Sequence, residues 1–357
     1  MANQFYSKRA CEWIFIIAVL LGCSKEESID VPKPDCLLAQ VAIEGQVNDV
    51  TTYVDDATGM EYALVGFGNL GPLSDNTGFS IIDTSDPSNP KVTAKMTSVG
   101  GLDLATWGHY VYAVGGEQGE AKIVDMDDPA NPVVVGSFPD AFFITISESG
   151  LMILSLSGVA IYDLNSDPLH PVLLWSDDDS GGQETLVLGN TLYDFHEKKG
   201  TRIYDISDPS DPQLIVNISS LNIRYHHSGQ ATSDEKYLFI NDEREEGSKN
   251  DRDFTVWDIS NKAAPKLVGS FNDPESSVHN IKIIGNRAHF AYYASGYRIF
   301  DITDQTSPSE LFSYDTSPAV TGNGLFVGAV GVAVGPSGRV YITDQQNGLF
   351  IFDDCAP

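Results

Sequence analysis

From residue 36 onward the chain alternates short apolar runs with turn-forming residues. Runs of about four to eight residues, bounded by Gly, Pro, Asn and Asp at about 8–12 residue intervals, predict strands. No apolar spacing of helical period appears outside the first two dozen residues. The stretch 101–137 shows the unit clearly. Gly101–Thr106, His109–Val114, Ala121–Asp125 and Pro132–Ser137 read as four successive strands. The third is the most apolar, as expected of a strand buried within a sheet.

One phrase punctuates the pattern. Ile-Ile-Asp83 is followed by a turn with Pro87 and Pro90 and then by a new strand. It returns at Asp125, Asp163, Asp205, Asp258, Asp301 and Asp353, at intervals of 38 to 53 residues. A proline follows seven residues after most of these aspartates (Pro90, Pro132, Pro212, Pro265 and Pro308) and eight after Asp163, at Pro171. An aspartate suits a tight turn because its side chain bonds nearby backbone amides, and proline presets φ. Proline cannot donate to a ladder, so it opens an edge strand. A repeat of about 40 residues of all-β text predicts a propeller or solenoid. Four strands per unit and seven aspartates predict an all-β, seven-bladed β-propeller.

The ends complete that count. The last unit stops after its third strand, at Gly348–Asp353, whereas Cys36–Gly45 is a strand with no unit of its own. The N-terminal strand is therefore expected to fill the outer place of the last blade and close the ring. The blades then span about 46–98, 99–138, 139–178, 179–222, 223–272, 273–318, and 319–355 with 36–45. Closure puts Cys36 beside Cys355, and the two are expected to form a disulfide rather than remain free thiols.

The start of the chain is an address. Lys8 and Arg9 precede the apolar run Trp13–Leu21, which is far short of the roughly 20 residues of a membrane span. It ends Leu20-Leu21-Gly22-Cys23, which resembles a bacterial lipobox. The resemblance implies a signal peptide over 1–22, acylation of Cys23 and a tether over 23–35 leading into the propeller over 36–355. Ser24-Lys25-Glu26-Glu27 resembles the export signal of surface lipoproteins, implying the outer membrane and the cell surface of a Gram-negative bacterium. Export to an oxidising compartment agrees with a disulfide.

Composition narrows the partners. With 50 acidic against 21 basic residues, the formal charge is −29. Such a field repels nucleic acid and attracts cations and basic partners. The sequence has no P-loop, dinucleotide fingerprint, nucleophile elbow or Cys-x-x-Cys.

The repeats resemble LVIVD repeats of bacterial surface propellers, and the longer arrangement resembles the choice-of-anchor B family. The residues carrying this are Asn48-Asp49-Val50, Glu61–Gly66, His227-Ser228-Gly229, Asp242-Glu243, His279-Asn280 and Ala329–Val332. Departures occur at Thr51 and Thr52 and at Gly101-Leu102-Asp103, where the family pattern carries tryptophan and Trp-Arg-Asp. The resemblance implies fold and location, not chemistry.

Candidate chemistry follows from blade geometry. The start of a first strand and the end of a second share one mouth of the channel. Those positions hold Asn48, Asp49, Asp103, Glu184, His226, His227, His279 and Asn280, with Glu117, His196, Glu197, Asp242 and Glu243. The fifth and sixth blades are densest, and an insertion, Arg244–Asp253, overhangs them. Imidazoles and carboxylates in one mouth suit a polar ligand, a protein partner or a divalent cation. Oxygen donors favour Ca²⁺ or Mg²⁺ and histidines favour Zn²⁺, Mn²⁺ or Fe²⁺. The principal expectation is a binding propeller. The alternative is a metal-assisted hydrolase or lyase using His227, Asp242, Glu243 and His279.

Overall fold

The computed structural model describes residues 32–69, 74–116, 119–156, 158–179, 181–219, 225–243, 253–273, 276–320 and 327–355. Lys8, Arg9, Cys23, Glu117 and most of the Arg244–Asp253 insertion lie outside them. Within them, 28 strands form seven four-stranded antiparallel sheets and no helix.

Six sheets are built from consecutive strands. Blade one is β2 (Val47–Val54), β3 (Glu61–Phe67), β4 (Gly78–Asp83) and β5 (Lys91–Thr97); blade two is β6 (Asp103–Trp107), β7 (Tyr110–Val114), β8 (Glu120–Asp125) and β9 (Val133–Pro139). Blade three is β10 (Phe143–Ile146), β11 (Leu151–Ser155), β12 (Val159–Asp163) and β13 (Val172–Ser176); blade four is β14 (Thr185–Leu188), β15 (Thr191–Phe195), β16 (Thr201–Asp205) and β17 (Gln213–Ile218). Blade five is β18 (His226–Ala231), β19 (Tyr237–Asp242), β20 (Phe254–Asp258) and β21 (Lys266–Phe271); blade six is β22 (Ile281–Ile284), β23 (Arg287–Ala291), β24 (Tyr297–Asp301) and β25 (Ser309–Tyr314). Blade seven combines β26 (Ala329–Val334), β27 (Val340–Asp344) and β28 (Gly348–Phe352) with β1 (Leu37–Val41), which pairs antiparallel with β28. Cys36 and Cys355 are disulfide-bonded, with Cα atoms 5.1 Å apart. The expected closure by the N-terminal strand is thus the observed one.

The repeated phrase explains itself locally. Asp83 Oδ1 accepts the Ser85 amide at 2.9 Å, and the equivalent bond recurs at Asp125, Asp163, Asp205, Asp258 and Asp301. Three residues on, or four after Asp163, Asp86 and its counterparts repeat the motif with the residue two further along. The residue after each of the first six phrase aspartates is buried and its amide bonds a carbonyl in or beside the turn between the first two strands of its blade, as Met126 does to His109 O at 2.8 Å. Asp353 differs: its Oδ1 accepts the next amide, from Asp354, at 3.0 Å.

A single blade cannot bury both faces of its sheet. The apolar core is accordingly seven clusters, each shared by two neighbouring blades, including one between blades seven and one. The largest aromatic stack lies between blades five and six, where Phe254 and Phe290 ring centroids are 4.8 Å apart. Burying each such ring stabilises the joint by about 1.5–3 kcal/mol, directly beneath the mouth considered next.

Candidate functional site

Three bulges shape the channel mouth. The register slips between His226 and Ser228, between Val47 and Val50, and between Ala329 and Gly331. An extra residue in a strand re-aims side chains and leaves backbone groups unpaired by the ladder. The residues at the slips are His227, Asn48 and Asp49 (one of them extra, opposite Gly66), and Val330. Blades five, one and seven therefore each present something to the mouth that regular pairing would not.

A belt of bonds then joins the inner strands. Asn48 Nδ2 donates to Gly101 O at 2.8 Å, and Asp103 Oδ2 accepts the Ile144 amide at 2.8 Å. Thr145 Oγ1 donates to Thr185 O, and the Glu184 amide to His227 O. Ser228 Oγ and Asn241 Nδ2 both donate to His279 O, and His279 Nδ1 to Val330 O at 2.8 Å. Two glycines permit the close approach. A Cβ on Gly101 would meet Gly78 O at 2.0 Å, and one on Gly331 would meet Thr343 Oγ1 at 2.4 Å and Asp49 Oδ1 at 3.1 Å. Glycine at 101 is thus a packing requirement here.

The mouth separates the predicted residues into two groups. His226 and Asp242 turn away from it. His226 Nδ1 meets Thr201 Oγ1 at 2.7 Å in blade four, and Asp242 Oδ1 accepts the Tyr225 amide. His226 and His227 point apart across the bulge, His226 to Thr201 and His227 to His279. His196 is also buried elsewhere, with Nδ1 on Asp194 at 3.0 Å. The second group converges: His227, Glu243, His279, Asn280, Glu184 and, further round, Asp49 and Asp103.

His227 is 2% exposed, and its ring lies 4.2 Å from that of His279. Its Nδ1 faces Gln183 Oε1 at 3.1 Å while Gln183 Nε2 donates to Glu197 Oε1 at 3.1 Å. The carboxylate fixes the amide, and the amide oxygen fixes the proton on Nδ1. His227 Nε2 is left without a hydrogen-bond partner, 3.7 Å from Glu184 Oε1. The Asn280 amide lies against both Glu184 and His227, yet its Oδ1 is buried without a partner at hydrogen-bond geometry. Tyr293 donates to Glu243 Oε1 from the neighbouring blade.

Burial sets the charge states. It pushes both His227 and His279 down to about 4 and His226 down to about 3, so all three are neutral. It pushes Glu184 up to about 8, with the Asp103 carboxylate adding to the rise and Lys282 opposing it. Asp49 is raised well above the usual range by burial and by Asp103, to which it is hydrogen-bonded. Asp103 also rises through burial, but the Ile144 and Leu104 amides hold it down. Asp49 is therefore the partner that carries the proton of the pair.

Sequence reasoning did not name Gln183, Lys282, Tyr293 or the Val330 carbonyl. Tyr293 had a signal: Tyr292-Tyr293 with Gly296 repeats the spacing of His196-Glu197 with Gly200. Glu197 and Tyr293 both sit at positive φ, 47° and 31°, and both bridge to the start of the next inner strand. As for a metal, among the described residues the group of His, Asp or Glu whose ligand atoms lie within 4.8 Å of one another is His109, Asp125 and Asp127. It sits at the opposite end of the blades.

Comparison with known proteins agrees with this architecture. The family model for the LVIVD repeat matches residues 73–97, 102–140, 184–219, 234–273 and 276–316. The chain belongs to the LVIVD-repeat family. No curated protein matches it. Among solved structures, the WD40 β-propeller domain of Doa1 is similar with a TM-score of 0.62 at 13% identity, over 89% of this chain and 96% of that one. A "putative 6-phosphogluconolactonase" from Bacteroides uniformis is similar with a TM-score of 0.60 at 14% identity, over 73% of this chain and 84% of that one. At such identities the likeness concerns the fold alone.

Proposed function

We propose that this LVIVD-repeat chain is an exported lipoprotein, anchored in the outer membrane through Cys23 and displayed at the cell surface, whose propeller binds a small polar ligand at the mouth. The reading of its address rests on Lys8, Arg9 and the Leu20–Cys23 motif, and the Cys36–Cys355 disulfide fits an oxidising compartment. The choice-of-anchor B resemblance points the same way.

One observation carries the binding function. His227 Nε2 and Asn280 Oδ1 are buried without partners beside Glu184, in a belt where most neighbouring polar atoms are bonded. Buried polar atoms left unpaired cost about 1–3 kcal/mol each, and a ligand at the mouth would recover that cost. A metal-assisted hydrolase or lyase is the less favoured reading, since the mouth offers no trio of described His, Asp or Glu atoms within 4.8 Å.

The test is a thermal-shift screen of amines, sugars, carboxylates and divalent metals on the wild type and on His279→Phe. A compound whose stabilisation vanishes in the variant supports the mouth as a site. Equal shifts in both proteins for every active compound would sink it. For the address, Cys23→Ala should abolish acyl labelling and release the protein from the membrane fraction.

A further inference from the structure

The mouth is one-sided in its hydrogen bonding. His279 Nδ1 faces a carbonyl, Val330 O, which can only accept, so the proton is on Nδ1 and Nε2 carries a lone pair. His227 reaches the same tautomer through the Gln183 amide, itself fixed by Glu197. Two neutral imidazoles 4.2 Å apart thus offer acceptors. So does Asn280 Oδ1, and so do Glu243 and, once an ammonium beside it drives its proton into solvent, Glu184. The walls are ring edges and faces: Phe143 packs on His227 at 5.5 Å and Tyr293 on His279 at 5.1 Å.

We propose that the mouth takes its ligand by a protonated amine, whether a small diamine's or a lysine side chain's in a peptide, with N–H groups on the His227 and His279 Nε2 atoms and on Glu184. This rests on the mouth being the binding site and names the chemistry it accepts. Three observations select an ammonium over the alternatives. A gap of 3.7 Å between His227 Nε2 and Glu184 Oε1 is too long for a direct bond and short enough for one nitrogen to serve both. A metal would have only the Asn280 amide oxygen as a third side-chain ligand beside those two, since no described His, Asp or Glu completes such a trio within 4.8 Å. A neutral sugar both donates and accepts, and the lone pairs of His227 and His279 answer only its donors. The −29 charge of the chain draws cations towards it further.

The experiment is isothermal titration of the mature full-length protein with 1,4-diaminobutane, with a tetralysine peptide, with N-acetylglucosamine and with zinc chloride. Saturable binding of either amine is expected, weakened about tenfold or more by Glu184→Gln and by His279→Phe. The exposed-site control Asp56→Asn should leave it within about twofold, which separates the mouth from general attraction to an acidic surface. Binding of the diamine alone identifies a small amine, and binding of the peptide alone identifies a lysine-bearing chain. Both results support the inference. Binding of zinc or the sugar, lost in His279→Phe and without amine binding, overturns the amine and keeps the mouth. Amine binding that Asp56→Asn weakens as much as Glu184→Gln overturns the amine site. No binding by any probe, with no variant-sensitive compound in the wider screen, overturns both. Circular dichroism of each variant reports whether it is folded, and Glu184→Gln, an isostere, keeps the test usable if His279→Phe is not.

Discussion

Gln183 Oε1 accepts the Nδ1 proton of His227 at 3.1 Å, and the amide that does so is itself held by Glu197. The consequence is a single tautomer for a buried, neutral ring. Nitrogen-15 NMR of histidine-labelled protein at pH 7 should show His227 protonated on Nδ1, with Nε2 in the range of an unprotonated nitrogen. Gln183→Leu removes the acceptor without adding charge. The His227 signal should then shift towards a tautomer mixture while His279, tied to Val330 O, stays fixed. A His227 spectrum unchanged by the substitution would show that Gln183 does not orient it.

Asp49 and Asp103 look alike in sequence and should respond differently to mutation. Asp49 holds the shared proton and donates it to Asp103, which Asn can imitate. Asp49→Asn should change stability by less than about 1 kcal/mol. Asp103 accepts the Leu104 amide at 2.7 Å and the Ile144 amide at 2.8 Å, joining blades two and three. Asp103→Ala leaves both amides unpaired and should cost about 2–4 kcal/mol. Urea unfolding of the two variants decides, and the reverse ranking would contradict the assignment of the proton.

The pH dependence of stability should have two limbs. Folded Glu184 keeps its proton up to about pH 8, whereas the unfolded side chain releases it near 4.5. Stability from that proton is complete below pH 4.5 and is lost as pH rises through 8. Histidines 226, 227, 279 and 289 run the other way, because burial lowers each from 6.5 to about 3 or 4. Their share is complete above pH 6.5 and is lost as pH falls through 4. Between pH 6.5 and 8 the histidines no longer contribute a slope, and Glu184 contributes a decline of at most about 1.4 kcal/mol per pH unit. Glu184→Gln should flatten that alkaline limb and steepen the rise between pH 5 and 6.5, where the Glu184 proton opposes the histidines. Urea midpoints at pH 5, 6.5 and 8 measure both, and a wild-type-like alkaline slope in the variant would assign the proton to another group.

These residues also show what one sequence reveals. The blades were legible because their signals are local. Asp83 caps its own turn through the Ser85 amide two residues away, and Pro90 leads into an edge strand. The mouth was legible only as a neighbourhood. Whether His226 or His227 faces it depends on a one-residue bulge, and such a slip exchanges the two faces of a strand without altering composition. Gln183 and Val330 matter through a side-chain tautomer and a carbonyl, neither of which has a sequence signature. Tyr293 could have been found by aligning it with Glu197, since the same left-handed turn recurs in blades four and six.

Ring closure supplies the last prediction. Strand β1 pairs with β28, at the other end of the propeller's chain, and the Cys36–Cys355 bond spans a sequence separation of 319 residues. A cross-link over so long a loop restricts the unfolded chain strongly, and its removal costs about 2–4 kcal/mol in typical cases. A second latch acts at the joint between blades seven and one, where Glu61 accepts Tyr341 OH at 2.5 Å and Ser337 Oγ at 2.8 Å. That latch does not involve β1. Cys36→Ser with Cys355→Ser should therefore lower the urea midpoint while the joint itself stays closed. Hydrogen exchange should then quicken at Ala39 and Gln40, whose neighbours are Ile351 and Phe350, and remain slow at Val65 and Ile342. Glu61→Ala should produce the opposite pattern, loosening the joint between blades seven and one while β1 stays pinned by the disulfide. Equal exchange at β1 with and without the disulfide would show that the ladder to β28 suffices to hold the ring shut.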